Sequence, residues 1–313
     1  MPAMVERPLR VAIFGAGYGA YCLVPAFQRD PRVAVVALCA PTAARRDAAA
    51  ERHGIADTCA SVDEVLDRIG IDAVAIAVPP DAQAEIAFAC LARQIPVFAE
   101  KPLGSDLSTA HSLVEAAHKA DVVTAVDFLF PEVAIWREAK IRLSAGAIGP
   151  LHHVVLNWVM ESYDNRNRIA GWKTEAAGGG GAMSHFGSHM LHYLEWFCGP
   201  ISSLRATLAR PPGYHASGDT LATLAATFAS GVSVSATLCS GAPFGTGHRI
   251  DFYGENGNLT LVNDTASYLD FRLYVQRLND AEAREVVLPD PACHLPDGTW
   301  SAPVEWSSLN VSA

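Results

Sequence analysis

The chain has 313 residues, half of them hydrophobic and 18% charged, with 33 acidic against 23 basic side chains and a net charge of −10. That length holds two domains and a large core, and the composition excludes a disordered chain. The acidic balance, with no basic run, excludes a nucleic-acid binder, whose surface must neutralise phosphates.

No stretch is apolar for long enough to span a bilayer, and Met1-Pro-Ala-Met-Val-Glu-Arg7 lacks an apolar signal core. The cysteines at 22, 39, 59, 90, 198, 239 and 293 are odd in number and form no C-x-x-C pair. They read as reduced thiols, so a cytoplasmic location is expected, with no membrane or nucleic-acid partner.

Leu9–Phe14 reads as a short buried strand, and Gly15-Ala-Gly-Tyr-Gly-Ala20 follows at once. A helical pattern then runs through Leu23, Val24, Ala26 and Phe27 to Asp30-Pro31. Strand, glycine turn and helix together are the context in which G-x-G-x-x-(G/A) marks a dinucleotide site. Gly15 permits the tight turn, Gly17 lets a pyrophosphate approach the backbone, and Ala20 keeps helix and strand close. Tyr18 and Gly19 complete the turn, and the helix start offers free N–H groups to the phosphates.

A second strand, Val33–Cys39, ends where an acidic residue would grip the ribose of NAD, yet Ala40-Pro41-Thr42 stand there. With no carboxylate to repel a 2′-phosphate, and with Thr42, Arg45 and Arg46 nearby, the reading favours NADP slightly over NAD. Arg45 and Arg46 also suit a solvated helix face.

The alternation continues with helices over 43–53, 62–69, 81–93 and 107–119. Strands are predicted at Asp72–Val78, which ends in Pro79-Pro80, at Pro96–Ala99 and at Val122–Val126. This order predicts a parallel, doubly wound sheet with its ligands beyond the strand C-termini. Glu100-Lys101-Pro102 closes one of those strands on the side of the glycine turn. The proline pushes Lys101 to extended geometry and allows a cis bond. Beside an oxidised nicotinamide the ammonium form of Lys101 would be disfavoured, which suits proton exchange with a sugar hydroxyl. A plain surface Glu-Lys pair is the alternative.

Pro131–Gly146 reads as a helix and Leu151–Met160 as a strand. The polar loop from Glu161 to Ala177 carries Tyr163, Arg168, Trp172 and Lys173, polar and aromatic groups that suit the wall of a sugar pocket. It leads into Gly178-Gly-Gly-Gly181, whose bare backbone lets a ligand or another backbone approach. An apolar helix follows to Gly199-Pro200, with histidines at 185, 189 and 192. His185 and His189 lie four apart on one helical face and read as an active-site pair, with hydrogen-bonded core fillers as the alternative. A zinc site is disfavoured and no metal is expected, because His192 lies nearly two turns from His185 and no fourth ligand is evident. Alternating patterns from Leu204 to Val262 predict an antiparallel sheet, with turns at Ser230-Gly231 and Glu255–Asn258. From about 264 the pattern fades, Asp290-Pro, Leu295-Pro-Asp-Gly and Ala302-Pro read as loops, and Asn310-Val-Ser312 is a chance glycosylation match.

The glycine turn, Pro79-Pro80, Glu100-Lys101-Pro102 and Gly179-Gly-Gly-Ala-Met-Ser-His-Phe-Gly-Ser-His189 together resemble the glucose–fructose oxidoreductase / inositol dehydrogenase (Gfo/Idh/MocA) family. The resemblance covers residues 9 to about 200. It implies a Rossmann domain over 1–127 and an α+β substrate-binding and oligomerisation domain over 128–313 with an open, mainly antiparallel sheet. It also implies Lys101 as a proton relay, His189 as the catalytic histidine, and a homo-oligomer, a dimer or tetramer. Pro79, Pro80 and Glu100 join the glycine turn, Thr42, Arg45 and Lys101 as cofactor-site residues. Lys101, Tyr163, Arg168, Trp172, Lys173, His185 and His189 form the substrate set.

The expected activity is NAD(P)-dependent hydride transfer at a carbinol or carbonyl carbon of a sugar, sugar derivative or cyclitol. Three departures stand out. His185 occupies the place of a family carboxylate, Gln83 replaces a histidine, and the chain ends at Ala313 where relatives continue with helices, so a shortened or diverged tail is expected. His185 favours the alternative of a dinucleotide-binding regulator or structural partner without turnover.

Overall fold

The structure is a computed structural model that describes residues 7–265 and 270–288. It divides into two compact units, Met1–Asp127 and Phe128–Ala313. In chain order the first holds β1 (Leu9–Phe14), α1 (Val24–Gln28), β2 (Val33–Cys39), α2 (Ala43–His53), β3 (Asp57–Cys59) and α3 (Val62–Arg68). It continues with β4 (Ala73–Ile76), α4 (Pro80–Ala92), β5 (Val97–Glu100), α5 (Leu107–Ala120) and β6 (Thr124–Asp127). The strands form one parallel sheet in the order β3-β2-β1-β4-β5-β6, the doubly wound arrangement that places ligands at the strand C-termini.

Strand β1 is apolar in succession because both of its faces are covered. Ala12 and Phe14 join a core with residues of α3, α4 and α5, while Val11 and Ile13 join Leu23 and Val24 on the other side. The helix after the glycine turn opens as a π turn at Gly19–Leu23 and becomes α-helical at Val24, one residue before Pro25. A wider first turn suits a helix that starts directly on a strand-end glycine loop and has no side-chain cap.

The second unit begins with a 3₁₀ turn at Phe130–Glu132 and holds α6 (Ala134–Ser144), β7 (Leu151–Val159), α7 (Tyr163–Arg166) and α8 (Ser188–Cys198). Six further strands of this unit are β8 (Ile201–Ala209), β9 (Leu221–Phe228), β10 (Ser233–Cys239), β11 (Gly247–Gly254), β12 (Gly257–Asn263) and β13 (Arg272–Arg277). A short β14 (Arg284–Glu285) follows. Their order is β14-β13-β12-β11-β7-β10-β9-β8; every pairing is antiparallel except β7 with β10. One face of the sheet packs on α6 and α8 through Trp136, Trp158, Tyr193, Phe197, Leu238 and Phe252. On β9 buried and exposed residues alternate strictly, the mark of a sheet with one face uncovered.

Three sequence expectations change. The helix expected from Pro131 starts at Ala134, because Pro131 sits inside the separate 3₁₀ turn. The strand expected from Val122 starts at Thr124. Past residue 264, where the pattern was read as fading, β13 pairs with β12 and buries Leu273. The loops predicted at 290–302, Cys293 and the 310–312 match lie outside the described residues. The six described cysteines are free thiols.

Candidate functional site

In the first unit the glycines separate into two roles. Gly15 has φ +116°, and a Cβ placed on it would stand 2.2 Å from the Ala77 carbonyl oxygen, so only glycine lets β1 turn against the end of β4. Gly17 is the opposite case: a Cβ there would meet no atom within 4 Å. The backbone at Gly17 faces open space, as a cradle for a pyrophosphate requires, and Ala20 is fully buried where helix and strand meet. Pro79 and Pro80 begin α4 beside this turn, and Tyr18 is partly exposed. These residues fit a dinucleotide.

At the end of β2 the arginines divide. Arg46 donates from Nη1 to the Ala40 carbonyl at 3.2 Å and from Nε to Asp47 at 2.9 Å, while Arg45 is exposed. Thr42 precedes α2 without capping it through its side chain.

Lys101 follows the last residue of β5 and is joined to Pro102 by a cis bond. The segment is clamped from α4 by Gln83, which is 1% exposed. Its Nε2 donates to the carbonyls of Glu100 at 2.7 Å and Pro102 at 3.0 Å, one on each side of Lys101. Sequence reasoning noted Gln83 only as a departure from the family. The fixed position of its amide explains the residue: a neutral double donor satisfies two strand-end carbonyls.

Sequence reasoning also missed Asp127. It ends β6 directly beside Glu100 in the sheet register, which brings the two carboxyl groups within hydrogen-bond reach of each other. Burial pushes the Glu100 carboxyl well above the usual carboxylate range, and the Asp127 charge pushes it further. Burial raises Asp127 as well, against the hydrogen bond from Glu100 and the charge of Lys101. A scan for carboxylates at strand C-termini finds both residues, since Asp127 closes the last strand of the alternation.

In the second unit the glycine run serves the backbone rather than a ligand. A Cβ on Gly180 would stand 2.3 Å from the Trp172 carbonyl oxygen, and one on Gly181 would stand 2.2 Å from Asp219 Oδ1. The run therefore packs the loop that carries Trp172 and Lys173 against the start of the histidine helix. Asp219 anchors that start, where its Oδ2 accepts from the Met183 N–H at 2.9 Å and its carbonyl accepts from Ala182 at 2.8 Å.

The helix itself changes pitch. Met183–Gly187 is a π turn and α8 takes over at Ser188, so the four-residue step from His185 to His189 crosses two ladders and does not keep one azimuth. The ring contacts differ accordingly. His185 meets Trp172 at 6.2 Å and Phe186 at 5.1 Å, whereas His189, 5% exposed, lies among Phe128, Phe130 and Trp158. His192 stacks on Phe128 at 4.2 Å. Among the predicted substrate residues, Trp172, Lys173 and His185 gather together, with Lys173 Nζ 5.7 Å from the Trp172 ring and 3.7 Å from Asp164. Tyr163 and Arg168 are exposed on and just after α7, Arg168 with φ +53°. Among the described residues no cluster of three His, Cys, Asp or Glu side chains is placed to hold a metal, and no helix is long and apolar enough to cross a membrane.

Two family models match this chain. Residues 9–128 match the oxidoreductase family with an NAD-binding Rossmann fold, and residues 136–260 match the GFO/IDH/MocA C-terminal domain. The chain belongs to the Gfo/Idh/MocA oxidoreductase family. It is 29% identical over 273 residues to an uncharacterized oxidoreductase of Synechocystis sp., covering 83% of this chain and 74% of that one. It is 38% identical over 116 residues to the inositol 2-dehydrogenase of Arthrobacter sp., covering 37% of this chain and 34% of that one. Among solved structures, a putative NADPH-dependent oxidoreductase from Desulfitobacterium hafniense shares the fold. Its TM-score is 0.81 at 20% identity, over 90% of this chain and 82% of that one.

Proposed function

We propose that this family member catalyses NAD(P)-dependent interconversion of a carbinol and a carbonyl on a sugar, sugar derivative or cyclitol. When bound, the nicotinamide dinucleotide supplies the two-electron acceptor or donor. The chain's own residues supply the rest. Gly15, Gly17 and the helix start of the first unit hold the pyrophosphate, and Lys101 exchanges the proton of the reacting hydroxyl. In the second unit His189 and His185 contact the substrate, with Trp172, Lys173, Tyr163 and Arg168 as polar and aromatic lining.

The observation that carries the reading is the clamp on Lys101. The buried Gln83 amide grips the backbone on both sides of this residue, at the C-terminal end of the parallel strands, where the open Gly17 cradle also lies. A surface Glu-Lys pair has no use for a fully buried double donor beneath it. The likeness to inositol 2-dehydrogenase supports a polyol-type substrate. A homo-oligomer and a slight preference for NADP, from Ala40 at the ribose position, complete the proposal.

The test is reduction of NAD and NADP by a panel of cyclitols, free sugars and sugar derivatives. Turnover of any polyol supports the reading. Dinucleotide binding without turnover of any would favour a non-catalytic dinucleotide binder, the alternative that His185 raises by replacing a family carboxylate.

A further inference from the structure

Glu100 and Asp127 end neighbouring parallel strands and are partners in register. Glu100 lies on the same face of β5 as Phe98, which meets Phe27 of α1 with ring centroids 5.8 Å apart. Both carboxyls therefore point to the side of the sheet covered by the helix that follows the glycine turn. They lie within hydrogen-bond reach of each other, and the Lys101 N–H donates to Glu100 Oε2 at 3.2 Å. An ionised carboxylate only accepts, so two carboxyl groups this close can bond to each other only when one of them carries a proton. Two full negative charges at that separation would also repel.

We propose that Glu100 and Asp127 hold a single proton between them at neutral pH, donated by Glu100, and that this pair is the charge-setting, positioning element for Lys101. The inference rests on the reading of Lys101 as the proton-exchanging residue. The charged and titratable groups acting on the pair are Lys101, which attracts both carboxylates, and Cys22 from the turn that opens the α1 helix. Burial and these two carboxyls push the Cys22 thiol up to about 12, so it stays neutral.

With one shared proton, Lys101 faces one negative charge rather than two. Loss of that proton as the pH rises adds a second negative charge, which favours the ammonium form of Lys101 and opposes its taking a proton from a substrate hydroxyl. Glu100 accepts from the Lys101 N–H and both carboxyls feel the Lys101 charge, so the pair acts through Lys101.

Difference infrared spectroscopy on the wild-type protein, Glu100→Gln and Asp127→Asn tests the shared proton without any turnover. The wild type is expected to show a protonated-carboxyl C=O band at pH 7 that is absent from Glu100→Gln. In Asp127→Asn the same band should titrate at lower pH, because the neighbouring charge that raises Glu100 is gone. A wild type with no such band, or a band that persists in Glu100→Gln, overturns the proposal. Glu100→Gln keeps a donor toward Asp127 without an ionisable proton, so its kcat/KM for alcohol oxidation should lose an alkaline fall seen in the wild type. An unchanged alkaline fall in Glu100→Gln, beside a Lys101→Ala variant that has lost turnover, overturns the charge-setting role and leaves the oxidoreductase reading standing. Infrared bands as expected in a protein that oxidises no polyol uphold the shared proton and overturn only that reading.

Discussion

At Gln83 one buried amide satisfies two carbonyls that flank the residue proposed to move the proton. Replacing it by alanine leaves both strand-end carbonyls without a donor, at a cost of about 1–3 kcal/mol. Urea denaturation of Gln83→Ala should show that loss, accompanied by a lower kcat, whereas unchanged stability would mean that water replaces the amide. The two histidines make a second contrast. His189 is buried among aromatic rings, while His185 is half-buried beside Trp172. His189→Ala is expected to lower kcat/KM strongly and His185→Ala mainly to raise KM, as steady-state kinetics from about pH 5.5 to 9 will read. Equal, small losses would make both histidines core fillers. The residue types and spacing pointed to these histidines because four positions is one helical turn. The π turn at Met183–Gly187 was not legible, since no side-chain pattern in Met183-Ser-His-Phe-Gly187 distinguishes a five-residue ladder from a four-residue one.

Among the elements, the glycine turn shows how one motif carries two separable requirements. Gly15→Ala forces a side chain onto a left-handed backbone and into the Ala77 carbonyl, and should destabilise the fold by ~2 kcal/mol or more. Gly17→Ala meets nothing in the protein, so its melting temperature should be near wild type. Dinucleotide affinity should nevertheless fall at least tenfold, about 1.4 kcal/mol. Thermal denaturation and cofactor titration of both variants check the split; a Gly17→Ala protein with wild-type affinity would remove the pyrophosphate from this turn. The strand–turn–helix context made this element readable, and the β/α alternation made the parallel, doubly wound class readable with it, while the three-residue β3 was too short to leave a pattern. The second glycine run was less legible. Gly178–Gly181 looks the same in sequence whether a ligand or a neighbouring backbone needs the room, and only the approach of Trp172 and Asp219 decides for the backbone. Strand β13 escaped notice because its apolar positions, Leu273 and Val275, are interleaved with Arg272, Tyr274 and Gln276 in a stretch of only six residues.

For the whole molecule, the carboxyl pair links charge to stability. A carboxyl whose folded-state pKa is raised binds more protons folded than unfolded across the window between the two values. Stability then falls as pH rises from the ordinary carboxylate range through the raised value of Glu100. Asp72 acts with the opposite sign. Its hydrogen bonds from Arg7 and from the Arg10 N–H hold it down to about 2, and its contribution is lost as pH falls toward that value. The melting temperature should therefore decline on the alkaline side in the wild type and decline less in Glu100→Gln, a comparison for thermal denaturation from about pH 5 to 9. Equal alkaline declines would assign the loss to other groups.

If Lys101 exchanges the proton while the glycine turn holds the dinucleotide, the two functions separate in a single variant. Cofactor titration and steady-state oxidation of an accepted polyol, measured side by side on the wild type and Lys101→Ala, read the two functions apart. The dissociation constants of the two proteins for NAD or NADP should agree within about threefold, while kcat falls at least about a hundredfold in the variant. Undiminished turnover in Lys101→Ala would assign the proton exchange to another group.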